Sequence, residues 1–327
     1  MIHYHRKPTQ IPMVFLIIFM LFSCTNKAQD GYFNDIAKQR TKGYSKAKIK
    51  ETPTVDTSQL MIDLRIISHD SLAGRLPGSA GSKIAQKYII DRMQSLKIAA
   101  FEPSYLQEFR IKKDITAANI IGFIKGSKNP EKYIVLSAHY DHLGVKNGKI
   151  YNGADDDGSG VCALLAMMDY FSKNKPATSL VFCFFDAEEK GLLGSNYFVS
   201  NAPMMLANIK LNINMDMIAR NDKHDEIIAV GTAYNPELRT KLQPLLSMTN
   251  IALIFGFDQP GSKDGIEDWT QSSDHGSFHN KGIPFIYFGV VDHEDYHGPG
   301  DDFEKIDPVF YGAAVNLITK AIILLDQ

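Results

Sequence analysis

The sequence predicts a single α/β domain with a mostly parallel or mixed β-sheet covered by helices on both faces. Apolar runs of strand length alternate with stretches of helical periodicity, which is the pattern of βαβ units. Hydrophobic residues make up 44% of the 327 residues, enough for the core of one large domain or two small ones. We find no internal repeat, and we assign residues 56–327 to one domain.

The first half of this domain begins with two helices and two strands. Leu60–Ser68 and Ser82–Leu96 carry apolar residues at helical spacing. Asn119–Lys125 and Tyr133–Ala138 are strand-like apolar runs, and residues 126–130 form a turn between them. The second of these predicted strands therefore ends at residue 138.

The remaining elements continue the alternation. Gly160–Phe171 has an apolar helical face, and Ser179–Phe185 is a continuous apolar run typical of a buried strand. By the same criteria the later elements are helix Leu192–Val199, strands Ile209–Met215 and Glu226–Val230, helix Asn235–Leu246, strands Ile251–Phe255 and Ile283–Gly289, and a last helix from Pro308 to about Leu325. The last two helices begin at Asn-Pro and Asp-Pro cap pairs.

The N-terminus has the composition of an export signal. Basic residues precede the apolar stretch Ile11–Phe22, which is short for a bilayer span of about 20 residues. A bacterial lipobox is resembled by the segment Leu21-Phe22-Ser23-Cys24, and in such a signal Cys24 becomes the lipidated first residue of the mature protein. The alternatives are an uncleaved anchor and a simple cleaved signal. We therefore assign residues 1–24 to a signal and lipobox segment and the polar residues 25–55 to a flexible tether.

These features predict an exported protein, either anchored as a lipoprotein at the periplasm or outer membrane, or periplasmic. Export permits a disulfide between Cys162 and Cys183, but both lie in apolar runs and two buried free thiols are the favoured state. The formal net charge of −2 gives no bulk electrostatic support for a nucleic-acid partner.

Five separated blocks at the ends of apolar runs each present carboxylates or a histidine. They read SAHYDH at residues 137–142, NGADDDGSG at 152–160, DAEEKGLLG at 186–194, NMDMI at 214–218 and DYHGPGD at 295–301. One such block would mean little, but five in one domain are hard to explain without metal. The set has the ligand types of a two-metal hydrolase.

The first two blocks are ambiguous when each is taken alone. His139 ends a predicted buried strand, where open α/β sheets place their sites, and Asp141 can accept the second N–H of that histidine. His142 is then a spare that we do not expect to be a ligand. The carboxylates of Asp155–Asp157 repel one another unless a cation is near, although a solvated loop or a helix cap at Asp157 would also explain them.

The later blocks add three kinds of residue. Glu188 and Glu189 can divide their roles, one binding a metal and the other accepting a proton from water. Asp216 is costly between apolar neighbours unless it is paired or metal-bound. His297 is the second candidate histidine, whereas the polar run around His293 predicts a solvent position for it.

The ordered set of these motifs resembles the M28 zinc aminopeptidase family over about residues 56–326. Further matches are the GRLPGS segment at 74–79 and the SDH segment at 273–275, while Gly298 replaces a threonine that the family commonly has. The resemblance implies two zinc ions. It implies the metal ligands His139, Asp156, Glu189, Asp216 and His297, with Asp156 as the bridge and a cis peptide after it.

The resemblance also implies the roles of the remaining site residues. Glu188 would be the general base and acid, Asp141 would orient His139, and Asp274 would lie close to the substrate. The implied activity is removal of N-terminal residues from peptides or small aminoacyl substrates. The alternatives are a glutaminyl-peptide cyclotransferase with one zinc, which would not need His139, and a non-catalytic peptide-binding relative.

Overall fold

The computed structural model describes residues 55–101, 103–222, 224–247, 251–258 and 267–327. The signal and lipobox segment and all of the predicted tether but its last residue lie outside these ranges. Most of the loop between residues 258 and 271 also lies outside them.

A central sheet of eight strands positions the rest of the described fold. The ten described strands are β1 Leu106–Lys112, β2 Ile115–Ile124, β3 Asn129–His139, β4 Gly144–Lys146, β5 Lys149–Tyr151, β6 Thr178–Phe185, β7 Ile209–Met215, β8 Glu226–Val230, β9 Ala252–Phe255 and β10 Phe285–Gly289. The large sheet has the order β1-β2-β6-β3-β7-β10-β8-β9, and β4 and β5 form a separate hairpin.

The four middle strands of this sheet run in the same direction. β6 pairs with β3, β3 with β7 and β7 with β10, all in parallel. The outer pairs β1–β2, β2–β6 and β8–β10 are antiparallel, so the sheet is mixed, as predicted. Because neighbouring parallel strands end at the same edge, the segments after β3, β6, β7 and β10 meet there.

Seven described helices cover both faces of the sheet. They are α1 Thr57–Ile67, α2 Ala80–Ser95, α3 Gly160–Lys173, α4 Leu193–Ser200, α5 Pro236–Leu242, α6 His275–His279 and α7 Pro308–Leu325. Successive side chains of a strand point to opposite faces. Accordingly Phe182 packs in the large core with α1, α2, α3 and α7, while Val181 packs in a second core with Phe198 of α4 and Phe278 of α6. The α/β fold class is confirmed.

The same division of the core explains the two cysteines. Cys162 belongs to the large core and Cys183 to the second one, and both are free and buried, as expected. α7 is long and apolar enough to cross a bilayer, but 67% of it is buried inside the fold. It therefore packs as a core helix, begun by Asp307, whose carboxylate accepts from the backbone N–H groups of Val309 and Phe310.

Several boundaries differ from the prediction for local reasons. The helix predicted as Asn235–Leu246 ends at Leu242 and continues as a 3₁₀ turn, because Pro244 lacks the N–H that an α-helix needs. β1, the hairpin β4–β5 and the short α6 were not predicted. β1 lies at the edge of the sheet with mostly exposed or half-buried side chains, so it carries little apolar signal.

Candidate metal centre

The predicted ligands converge at the edge where the parallel strands end. His139 is the last residue of β3, Glu188 and Glu189 follow β6, and Asp216 follows β7 directly. Since β6, β3 and β7 are adjacent, residues distant in sequence become neighbours here. Two loops complete the arrangement: one leads into α3 and carries Asp156, and one follows β10 and carries His297.

A first ligand group forms around His139. Its Nε2 atom lies 3.3 Å from Asp156 Oδ1 and 3.5 Å from Asp216 Oδ1. One ligand atom from each of the three residues lies within 4.8 Å of the others, and all three residues are buried. Glu188 Oε2 is 4.0 Å from the same nitrogen, so this carboxyl group borders the group.

Asp141 lies behind the His139 ring, where it was expected. His139 Nδ1 is 3.1 Å from the backbone carbonyl of Asp141 and 3.6 Å from its Oδ1 atom. A proton on Nδ1 leaves the lone pair of Nε2 directed at the acids. Asp141 Oδ1 also accepts a 2.9 Å hydrogen bond from the backbone N–H of Glu188. Asp141 therefore positions the histidine through its backbone carbonyl and the glutamate through its carboxylate.

A second ligand group shares Asp156 with the first. His297 Nε2 lies 3.2 Å from Asp156 Oδ2 and 3.3 Å from Glu189 Oε2. His142 Nδ1 lies 2.8 Å from Glu189 Oε1 and 3.9 Å from Asp156 Oδ1. The structure thus brings Asp156 between two groups, the position of a carboxylate able to bridge two cations.

Two histidines lie where the sequence reasoning did not expect them. His142, taken as a spare, is completely buried beside Glu189. The solvent position predicted for His293 is wrong: the residue is buried, with Nε2 3.4 Å from Asp155 Oδ2. The expectation for His293 failed because local polarity does not show which loops fold over a residue, and the expectation that His142 is not a ligand stays a prediction.

Asp157 ties three ligand segments together. Its carboxylate accepts hydrogen bonds from the backbone N–H groups of His139, Gly160 and Met217, at 3.1, 2.8 and 3.3 Å. A Cβ at Gly160 would lie within 2.6 Å of both Asp157 carboxylate oxygens, so only glycine permits this approach. The peptide bond from Asp156 to Asp157 is cis, as the resemblance implied.

Asp301 holds the other side of the same loop. Its carboxylate accepts from the backbone N–H groups of Asp155 and Asp156 at 3.0 to 3.1 Å. Burial raises the pKa of Asp301 to about 6. Hydrogen bonds to the backbone on both sides of Asp156 therefore fix its position, which orients its side chain before any cation binds.

Arg75 is a residue whose role the sequence did not reveal. Its completely buried guanidinium donates hydrogen bonds to four backbone carbonyls, those of Ile67, Tyr140, Asn152 and Gly153. Tyr140 follows the ligand His139, and Gly153 begins the loop of Asp156. The GRLPGS segment offered a signal, since an arginine that lies between turn residues can be buried and donate hydrogen bonds to backbone carbonyls.

Charge compensation within the centre shifts several pKa values. Burial alone would raise the pKa of Asp156, but His142, His139 and His297 hold it well below its usual range. Burial also opposes ionisation of Glu189, yet His142 and His297 lower its pKa to about 2. Burial raises the pKa of Glu188 well above its usual range. The pKa values of these two neighbouring glutamates are thus shifted in opposite directions, which suits different roles for the two residues.

The centre opens into a cleft of about 270 Å³. Its lining combines acids and both predicted ligand histidines with apolar and aromatic side chains, namely Met217, Trp269, Tyr287, Val290 and Tyr296. Asp274 does not line this cleft but lies completely buried, and burial raises its pKa to about 7. The described residues thus place Asp274 below the surface of the cleft.

The donor set fits two divalent cations. Among the described residues, Asp156 Oδ2, Glu189 Oε1, Asp216 Oδ1 and both ring nitrogens of His142 are buried without a hydrogen-bond partner. Leaving such groups unpaired costs about 1–3 kcal/mol each. Imidazole nitrogens with carboxylate oxygens are ligands of zinc and similar ions, and three ligands leave a position open for water or substrate.

Comparison with known proteins identifies one family. The sequence model of peptidase family M28 matches residues 119–322, which contain every ligand and acid described above. Aminopeptidase YwaD of Bacillus subtilis is 27% identical over 270 residues, covering 77% of this chain and 54% of YwaD. This chain therefore spans about half the length of that relative.

Two solved structures share the fold. A zinc aminopeptidase from Bacillus subtilis superposes with a TM-score of 0.65 at 19% identity, covering 82% of this chain and 95% of that one. A glutaminyl cyclase from Porphyromonas gingivalis superposes with a TM-score of 0.67 at 20% identity, covering 83% and 98%. The two neighbours are equally similar, so fold alone does not choose between their activities.

Proposed function

The chain belongs to peptidase family M28, and we propose that it is a zinc-dependent aminopeptidase using two metal ions. The observation that carries the proposal is the pair of ligand groups joined by Asp156, with Glu188 beside them at a cleft. A one-metal enzyme has no need of the group around His139, yet that group is complete and buried here.

The ligand assignment follows the two groups. His139 and Asp216 would hold one zinc ion, Glu189 and His297 the other, and Asp156 would contact both. When bound, zinc lowers the pKa of a coordinated water and polarises a carbonyl oxygen. The protein contributes the fixed positions, because backbone hydrogen bonds and buried neighbours orient these side chains.

Glu188 has the position and environment of the general base. Its carboxyl group borders the first ligand group and lines the cleft, and its raised pKa favours taking up a proton. Glu188 would accept a proton from water while the water oxygen bonds to the peptide carbonyl carbon. It would then pass that proton to the nitrogen of the leaving amine as the C–N bond breaks.

The lining is compatible with a substrate that has a free N-terminal amine. Asp156, Glu188, Glu189 and Asp216 line the cleft, and two zinc ions would offset the negative charge of these four acids, so the amine would bind there in its neutral form. The apolar and aromatic walls provide contact area for the first side chain of a peptide. Cleavage next to the bound amine would release single N-terminal residues.

Glu188→Gln tests the mechanism. The variant should bind as much zinc as the parent, and kcat should fall by about 10²–10⁴-fold on a leucine-led peptide. Glu189→Gln is the matched comparison on the next residue: it should lose metal as well as activity. A Glu188→Gln variant with parental kcat would refute the role of Glu188.

The second candidate is a glutaminyl-peptide cyclotransferase, favoured by the similarity to the glutaminyl cyclase structure. It would release ammonia from glutamine-led peptides and would not turn over leucine-led ones. A non-catalytic peptide-binding relative would bind zinc and turn over neither. Assaying zinc-loaded protein on both peptide types separates the three functions.

We further propose that the protein is exported and carries a lipid anchor at Cys24. The support is the sequence of the basic start, the apolar stretch Ile11–Phe22 and the lipobox-like Leu21–Cys24. Cys24→Ala should move the protein from the membrane fraction to the soluble fraction of cells. Unchanged membrane fractionation would overturn the anchor.

A further inference from the structure

We propose that His142 is a ligand of the second metal ion, together with Asp156, Glu189 and His297. The inference rests on the two-metal function proposed above and adds a ligand to it. It makes the second site a four-ligand site, while the first keeps three protein ligands.

The geometry of His142 is that of a ligand. Its Nδ1 atom lies 2.8 Å from Glu189 Oε1 and 3.9 Å from Asp156 Oδ1. Ligand atoms about 2.0–2.1 Å from a tetrahedral zinc ion are roughly 3.3 Å apart, between these two distances. The contact with Glu189 lacks hydrogen-bond geometry, and both His142 ring nitrogens have no hydrogen-bond partner among the described residues. A cation near Nδ1 would satisfy that nitrogen and the buried Glu189 oxygen together.

His297 lies on the opposite side of the same carboxylates. Glu189 directs Oε1 to His142 and Oε2 to His297. The two imidazole rings have centroids 6.1 Å apart and are tilted by 56°. Two imidazoles bound through nitrogen to one zinc ion have centroids roughly 5–6 Å apart, from a Zn–N distance of 2.0–2.1 Å. Small movements would therefore bring both onto one ion.

Gly153 fixes the orientation of the His142 ring. A Cβ at Gly153 would lie 2.6 Å from both Cγ and Cδ2 of His142, so the ring packs directly against the glycine backbone. Gly153 has a φ of +56°, a conformation that glycine adopts without strain. The ring is completely buried, and its Nδ1 atom faces Glu189 and Asp156.

The two metals would have different roles, because they would have different numbers of protein ligands. Structural zinc sites are closed by four protein ligands, whereas catalytic sites keep one position open. The group of His139, Asp156 and Asp216 would be the open one. The second metal would bind more tightly and fix the positions of Glu189 and the bridging Asp156.

Cadmium NMR on the unmodified protein counts the histidine ligands. The protein is labelled with ¹⁵N-histidine and loaded with ¹¹³Cd. We expect three histidines with one-bond ¹¹³Cd–¹⁵N coupling, and two of them should share one cadmium resonance. One coupled histidine on each cadmium resonance would overturn the assignment of His142. Three coupled histidines in a protein that hydrolyses no peptide would refute the peptidase proposal and leave the ligand assignment standing.

His142→Ala provides the independent test. In a titration with Co²⁺, the four-ligand site should fill first in the parent, and the variant should bind this first equivalent at least ~10-fold more weakly, with an altered visible spectrum. His293→Ala is the matched control, because His293 is also a buried histidine near this loop but faces Asp155. It should keep the parental affinity and visible spectrum of the first Co²⁺ equivalent. Parental affinity and spectrum in His142→Ala would overturn the proposal.

Discussion

Replacing Arg75 by methionine tests whether one buried guanidinium holds the two ligand loops together. The side chain donates to the carbonyls of Ile67, Tyr140, Asn152 and Gly153, all in the buried interior. Methionine has a similar length but no donor, so the carbonyl oxygens of Ile67, Tyr140 and Asn152 would lose this partner, whereas that of Gly153 keeps the N–H of Gly158. At about 1–3 kcal/mol for each of the three unpaired buried groups, the loss is on the order of 3–9 kcal/mol. Water entering the space would moderate this, so we expect the lower end.

Urea denaturation of the metal-free protein measures this loss. We expect Arg75→Met to lower the free energy of unfolding by at least ~3 kcal/mol, which corresponds to a fall in Tm of about 6 °C or more. Arg65→Met is the matched control: Arg65 is exposed and stacks on Phe303 at 4.3 Å, so the same substitution should cost under ~1 kcal/mol. If the Arg75 variant loses less than the Arg65 variant, the proposed clamp is refuted.

Two further predictions concern buried polar groups near the centre. Asp141→Asn should weaken binding of the first metal by about 10–100-fold, because the negative charge 3.6 Å from His139 Nδ1 is lost. Isothermal titration with zinc would show it, and unchanged affinity would contradict it. Burial lowers the pKa of His275 to about 3, so this neutral histidine contributes stability that is complete above the unfolded pKa of about 6.5 and is lost as pH falls below it. When pH falls from 6.5 to 5, the free energy of unfolding of the parent should therefore drop by ~2 kcal/mol more than that of His275→Phe, as measured in urea melts. Equal drops would contradict the buried neutral state.

The sequence predicted the architecture well where burial dominates. β6 and β7 are long apolar runs, and an apolar run of strand length has few other structures available to it. The edge strand β1 was missed because its side chains face solvent. The hairpin of β4 and β5 was also missed, although Asn147-Gly148 between them is a strong hairpin signal.

The candidate site was predictable to the level of motifs. The ligand residues follow strand ends, and strand ends are visible in sequence. The solvent position predicted for His293 was wrong, and the burial of His142 was not predicted, because other loops of the chain surround both residues. Gly153 approaches the His142 ring and Asp155 contacts His293, and neither contact leaves a periodic pattern. Arg75 was visible as part of a motif, but its four acceptors come from three separate segments.

Zinc titration of metal-free protein tests the central claim most directly, because it measures metal content and activity together. We predict that hydrolysis of a leucine-led peptide appears as zinc binds and that the fully active protein contains two zinc ions per chain. Release of ammonia from a glutamine-led peptide by protein with one zinc ion per chain, and no cleavage of the leucine-led peptide, would contradict the account.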